Sequence, residues 1–149
     1  TMILRPYTPA DCGEILRLSY ETGHCVNAAD YTQEQLDAWT DGADREKWNS
    51  SLSEHDTLVA EDGGAIVGFA DLADGNYLDR LYVHKDFQRR GVATALCDAL
   101  EKKCTGEITV HASITAVPFF ERRGYAVCKK QQVLRRGVLL TNFVMKKNF

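Results

Sequence analysis

The run Leu81-Tyr82-Val83-His84-Lys85-Asp86-Phe87-Gln88-Arg89-Arg90-Gly91-Val92-Ala93-Thr94 joins a strand-like stretch to a basic, glycine-containing loop and then to the start of a helix. That order suits anion binding. The first turn of a helix has unpaired N–H groups and the positive end of its dipole, and both would face the loop. Gly91 lets the backbone come close, and Arg89 and Arg90 can add charge-assisted hydrogen bonds. A diphosphate fits such a loop. The chain has neither Gly-x-x-x-x-Gly-Lys-Ser/Thr nor Gly-x-Gly-x-x-Gly, so it reads neither as a P-loop nor as a dinucleotide fingerprint.

The elements that would position this loop can be read from periodicity and punctuation. Met2 to Arg5 reads as a strand, and Thr8-Pro9-Ala10-Asp11 opens a helix that carries Ile15, Leu16 and Leu18 on one face. Thr32 with Gln35 three residues on makes a capping box for a second helix, with Leu36 and Trp39 on its buried side. Thr57 to Glu61, the turn Asp62-Gly63-Gly64, and Ala65 to Leu72 form a hairpin pattern, followed by a strand from Tyr77 to Val83. A helix from Gly91 to Cys104, a strand from Glu107 to Ala112, a short helix from Ala116 to Arg123, and strands Ala126 to Arg135 and Val138 to Met145 complete the chain. The predicted order is βααβββαβαββ. It implies an α/β (α+β) fold, a mixed sheet with helices on both faces.

The 149 residues suit a single domain spanning 1–149, and 44% hydrophobic with 26% charged residues is the balance of a folded globular chain. No apolar run reaches the roughly 20 residues of a membrane-spanning helix, and no signal-peptide layout opens the chain. The expected location is cytoplasmic. Five scattered cysteines without a Cys-x-x-Cys pair argue against a disulfide framework and against a zinc site, so no metal is expected. The net charge of −3 divides unevenly: residues 1–75 carry 4 Lys/Arg against 15 Asp/Glu, net −11, and residues 76–149 carry 14 against 6, net +8. That suggests an anionic ligand held by the second half and a cationic one near the first, or simply two solvated faces.

The sequence resembles the GNAT superfamily of acetyl-CoA-dependent N-acetyltransferases. Gln88-Arg89-Arg90-Gly91-Val92-Ala93 matches the family's Gln/Arg-x-x-Gly-x-Gly/Ala signature after a Leu-Tyr-Val strand end. Ala116-Val117-Pro118-Phe119-Phe120-Glu121-Arg122-Arg123-Gly124-Tyr125 follows like its Ala-x-x-Phe-Tyr-Glu-x-x-Gly-Phe segment. The resemblance implies a centrally splayed sheet in which the strands 77–83 and 107–112 part. Pantetheine would then pair with main-chain groups of Leu81 and Val83. By the same resemblance Tyr82, Gln88, Arg89, Arg90, Gly91, Val92, Ala93, Thr94, Ser113, Phe119 and Phe120 hold the cofactor. Acetyl-CoA is the implied donor and a primary amine the implied acceptor, attacked directly in a ternary complex.

Two departures bear on mechanism: Phe120 stands where many members have Tyr, and Ser113 where many have Asn. The phenolic acid for the departing thiolate is therefore missing. A thiol of pKa near 8.5 expelled as thiolate at pH 7 forgoes about 2 kcal/mol, whereas freeing an amine of pKa near 10.4 of its proton costs about 4.6 kcal/mol. The base matters more. Asp79, working through water, and Tyr82 are the catalytic candidates, with His84 and His111 behind them.

The resemblance also implies that the segment joining the first two helices builds the acceptor site, with His24, Cys25, Asn27, Asp30, Tyr31 and Trp39 available. Acidic charge at Asp30, Glu34 and Asp37 would suit a cationic amine. A competing enzyme reading is acyl transfer through Cys25 with His111 or His24. A non-catalytic acyl-CoA-binding or interaction module on the same fold is the alternative that Phe120 favours. Basic pairs on separate elements and an acidic pI of about 5.8 argue against nucleic acid as a partner. No membrane partner is expected, and an exposed sheet edge would allow a homodimer.

Overall fold

The computed structural model describes residues 1–40 and 42–149. Among them lie seven strands: β1 (Met2–Pro6), β2 (Asp56–Asp62), β3 (Ala65–Ala73), β4 (Tyr77–Val83), β5 (Glu107–Ser113), β6 (Ala126–Arg135) and β7 (Val138–Asn148). The helices are α1 (Cys12–Val26), α2 (Gln33–Thr40), α3 (Arg45–Glu54), α4 (Val92–Glu101) and α5 (Val117–Arg122). One mixed sheet runs in the order β1-β2-β3-β4-β5-β7-β6, with β4 and β5 parallel and every other neighbouring pair antiparallel. This is the α/β architecture that the sequence pattern implies. No helix among the described residues is long and apolar enough to cross a membrane.

The two faces of the sheet bury different sets of residues, as period-2 strands require. On one face Val67, Leu72, Leu78, Ile108, Val110 and Met145 pack against Val92, Leu96 and Leu100 of α4 and Phe120 of α5. On the other, Val59, Ile66 and Phe69 meet Ile15 and Leu18 of α1 and Leu52 of α3. A third cluster, Tyr31, Leu36 and Leu140, seats α2 against β7. The capping box of α2 forms as the sequence predicts: the Gln35 N–H donates to Thr32 Oγ1 at 3.1 Å and the Thr32 N–H to Gln35 Oε1 at 2.9 Å.

Helix α3 is the element that the sequence pattern misses, because Arg45-Glu46-Lys47-Trp48-Asn49-Ser50-Ser51-Leu52 has only two large apolar residues. Tertiary contacts hold it instead. Asp44 caps it by accepting the N–H groups of Glu46 and Lys47. Trp48 and Leu52 join the second core, and the Tyr7 hydroxyl donates to Asn49 Oδ1 at 2.6 Å. Such help is usual, since most helical stability in proteins comes from packing rather than propensity.

Gly68 lets α4 lie close on β3. A Cβ there would stand 2.8 Å from Val92 Cγ1 and 3.0 Å from the Tyr82 carbonyl oxygen. Gly68→Ala should therefore lower stability by about 1–3 kcal/mol through overpacking, read as a shift in the urea midpoint. An unchanged midpoint would show that α4 can move without loss.

Candidate active site

Strands β4 and β5 pair only at Tyr77↔Thr109 and Leu78↔Val110. Beyond Leu78 they part. The register of β3 against β4 shifts between Asp71↔Arg80 and Leu72↔Leu78, so Asp79 is an extra residue in β4, a β-bulge. The His84 N–H bonds the Val67 carbonyl on the β3 side at 2.8 Å. Alternation along the strand then turns the N–H groups of Leu81 and Val83 toward β5, where no strand receives them. The splayed sheet implied by the resemblance is present.

A cleft of about 1420 Å³ passes through this opening. Phe119 and Phe120 of α5 line it from one face of the sheet, and Thr22, Asn27, Tyr31 and Trp39 from the other. At its mouth lies the basic loop. Arg89 (φ 62) and Gly91 (φ 80) both take left-handed conformations, and Gly91 is the N-cap of α4 without any side chain to offer. The first helical bond runs from the Ala95 N–H to the Gly91 carbonyl at 3.0 Å. The N–H groups of Val92, Ala93 and Thr94 are thus without intrahelical acceptors, beside the cleft that these residues line. Such an arrangement can receive an anion, with a helix dipole behind it.

Several candidates are placed differently from one another. Leu81, Tyr82, Val83, Gln88, Arg89, Gly91, Val92, Ala93, Thr94, Ser113, Phe119 and Phe120 all line the cleft, as do Asp79 and His111. Arg90 does not; its guanidinium lies over the Phe87 ring, 5.1 Å from the centroid. The Gln88 side chain turns back and donates to the Val83 carbonyl at 2.7 Å, fastening the loop to the strand end. His84 is spent as a cap, its Nδ1 accepting the Asp86 N–H at 3.0 Å, and it lies outside the cleft lining. Ser113 accepts the Ala116 N–H at 3.2 Å, which starts the turn into α5.

The segment after α1 contributes less than the sequence suggests. Tyr31 is buried and lines the cleft, but its hydroxyl is a brace: it donates to the Thr141 carbonyl and accepts the Ile114 N–H, both at 2.8 Å. His24 stacks on Tyr20 and meets Asp37 at 2.9 Å, Cys25 is exposed on α1, and Asp30 accepts from Thr115 Oγ1. None of those three lines the cleft. The acids of the first half, Asp30, Glu34 and Asp37, are likewise outside it, so the expectation of an acidic acceptor pocket is not met there. Their side chains follow the outer surface of α2 and its entry loop.

A second cavity, about 820 Å³, adjoins the first and shares Trp39, Asp79, Arg80, Tyr82 and Arg135 with it. Bulging at Asp79 aims its side chain and that of Arg80 to the side of Asp71. Asp71 is fully buried, and its Oδ2 accepts from Arg80 Nη1 at 2.5 Å and from His55 Nδ1 at 2.7 Å. Its Oδ1 has no hydrogen-bond partner among the described residues. Asp79 Oδ2 lies 3.5 Å from Arg80 Nη1 and 3.9 Å from His55 Nδ1. Atoms of His55, Asp71 and Asp79 fall within 4.8 Å of one another, a spacing that could hold a metal ion, but the Arg80 guanidinium already supplies the positive charge there. Burial pushes the Asp71 carboxyl up, with Arg80 and His55 drawing it back. Burial pushes the Tyr82 phenol up to about 12, which suits a hydrogen-bond donor and not a base at neutral pH. Tyr125 is no substitute acid: its hydroxyl donates to buried Glu101 at 2.8 Å.

Residues 27–147 match the acetyltransferase (GNAT) domain family. The chain belongs to that family. It is 36% identical over 143 residues to the uncharacterized N-acetyltransferase YafP of Escherichia coli K12, covering 96% of this chain and 93% of that protein. A GCN5-related N-acetyltransferase structure from Rhodopseudomonas palustris superposes with a TM-score of 0.97 at 38% identity, covering 100% of this chain and 96% of that one. PaiA N-acetyltransferase of Thermoplasma acidophilum, solved with coenzyme A, shares the fold at 16% identity and a TM-score of 0.79, covering 100% and 99%. YncA of Salmonella typhimurium, solved with its cofactor acetyl-CoA, does so at 16% and 0.70, covering 99% and 94%. Of the GNAT signatures, the glycine loop and the Ala116–Tyr125 segment are both in place around the cleft, and the register shift that opens it had no signal in the sequence.

Arg80→Ala should cost about 3–5 kcal/mol at pH 7, because it strands the buried Asp71 carboxylate. A raised native pKa means that the native state holds its proton more tightly than the unfolded chain, so stability falls as pH rises from the ordinary carboxylate range to the raised value. The deficit of Arg80→Ala should therefore shrink toward pH 4 in denaturant titrations. A deficit independent of pH would place the cost in lost packing on Trp48 instead.

Proposed function

We propose that this GNAT protein, acting as one domain over residues 1–149, transfers the acetyl group of acetyl-CoA directly to a primary amine. The observation that carries this is the unpaired stretch of β4 opposite β5, continuous with the N-terminal cradle of α4. A pantetheine arm would lie in the gap as a strand does, bonded by the N–H groups of Leu81 and Val83, with its diphosphate at Val92, Ala93 and Thr94. Acetyl-CoA and CoA bound to neighbours of the same fold support that assignment.

The chemistry then follows from what borders the gap. A β4 N–H polarises the thioester carbonyl, the amine nitrogen bonds to the carbonyl carbon, the C–S bond breaks, and CoA leaves as thiolate. The proton lost by the amine passes through water to Asp79, the carboxylate that lines both cavities. Phe120 is buried against Phe119 and Tyr125 and offers the thiolate no proton, which the pKa difference between thiol and amine makes tolerable. Tyr82, as a phenol, donates rather than accepts. Cys25 lines neither cavity, which disfavours a thiol route.

Release of free CoA thiol across a panel of primary amines, with acetyl-CoA affinity from calorimetry, tests the reading. Asp79→Asn should reduce kcat by about 10²–10⁴-fold, and Phe120→Tyr should alter it less. Tight acetyl-CoA binding without turnover of any amine would reassign the protein as an acyl-CoA-binding module. Arg89→Ala should weaken acetyl-CoA by about 1.5–3 kcal/mol, and Arg90→Ala by less, since only Arg89 lines the cleft. The reverse ranking would move the diphosphate to the Phe87 side of the loop.

A further inference from the structure

Among the described residues, the second cavity is lined by more positive than negative charge. Lys47, Arg80, Arg135 and Arg136 stand against Asp44 and Asp79. Asp44 accepts two backbone N–H groups at the start of α3, and Asp79 lies 3.5 Å from Arg80 Nη1 and 3.9 Å from His55 Nδ1. Arg80 is committed in turn, to buried Asp71. Arg135 and Arg136, at the turn between β6 and β7, pair with no carboxylate among the described residues. Of these two, Arg135 lines both cavities, together with Trp39, Asp79 and Tyr82. Among the described residues, the site thus holds a guanidinium with no carboxylate partner, lining the same two cavities as the carboxylate assigned to the amine's proton.

We propose that the acceptor is an amino carboxylate, whose anionic group binds Arg135 while its amine lies toward Asp79 and the parted strands. The inference rests on the transferase reading in taking this cavity as the acceptor's. A guanidinium matches a carboxylate with two parallel charge-assisted bonds. The same positive wall disfavours the ammonium form of the amine, which raises the fraction able to attack. It also repels polyamines and other acceptors that carry only positive charge. Trp39 and Trp48 give the cavity flat walls for an apolar side chain. The acetylated product keeps the carboxylate and loses the basic amine, so it is held by Arg135 alone.

The test compares each proteinogenic amino acid with its decarboxylated amine in the CoA-release assay. It also titrates the N-acetyl amino acids into the CoA-loaded protein by calorimetry. At least one amino acid should exceed its amine in kcat/KM by about tenfold or more. Arg135→Gln should reduce that preference about tenfold through KM, Arg135→Lys should retain more of it, and acetyl-CoA affinity should stay within about twofold in both. Amines that equal or exceed their amino acids, or an Arg135→Gln variant that impairs both alike, would overturn the inference while leaving acetyl transfer intact. Binding of an N-acetyl amino acid that depends on Arg135, without turnover of any acceptor, would support the anion site and overturn the transferase reading. No binding of any carboxylate and no preference for one would end the proposal.

Discussion

The loss of pairing between β4 and β5 after Leu78 is the constraint on which the site depends. Two parallel strands begin as neighbours, and one extra residue at Asp79 bends β4 away before its last four residues can be paired. Unpaired N–H groups inside a protein are costly, so such a gap persists only where water or a ligand can receive them. The strand then leads through the loop 84–91 to the start of α4, whose first residues line the same cleft.

The bulge has an energetic counterpart on the α1 and α3 face. Asp71, Arg80, His55 and Asp79 form a cluster of ionisable groups, with Arg80 4.6 Å from the Trp48 ring centroid. Burying Asp71 is unfavourable unless the guanidinium stays beside it, and that requirement keeps Arg80 and the neighbouring bulged residue in place. Meanwhile Phe69 and Tyr82 stack at 5.4 Å between centroids, which keeps the outer half of β4 flat on β3. The strand is thus held firmly on one side and left open on the other. Rigidity of that kind suits the proposed direct transfer between two bound substrates.

Several parts of this arrangement are legible in the residues. The basic loop, Gly91, and the start of α4 follow from local chemistry, because capping, dipole and glycine conformation depend on near neighbours along the chain. The bounds of β4 and the capping box at Thr32 are legible for the same reason. Helix α3 is not, since its stability comes from Trp48 and Leu52 meeting residues far away in sequence. Acidic composition in the first half suggests an acidic pocket, yet Asp30 bonds to Thr115, Asp37 to His24 and Gln33, and Glu34 is exposed, all outside the cleft. Net charge by segment says nothing of which side of a helix carries it.

What the sequence by itself determined is the family resemblance, the order of elements apart from α3, and a basic glycine loop at the start of α4, all encoded in short-range patterns of residue type. Only the tertiary structure decided where β4 leaves β5, that Asp79 and Arg80 face the same side, and that Arg135 from a distant hairpin stands beside them. Register and cross-strand neighbours are set by the balance of packing over the whole sheet. A shift of one residue turns side chains to the other face with no change in composition or local pattern.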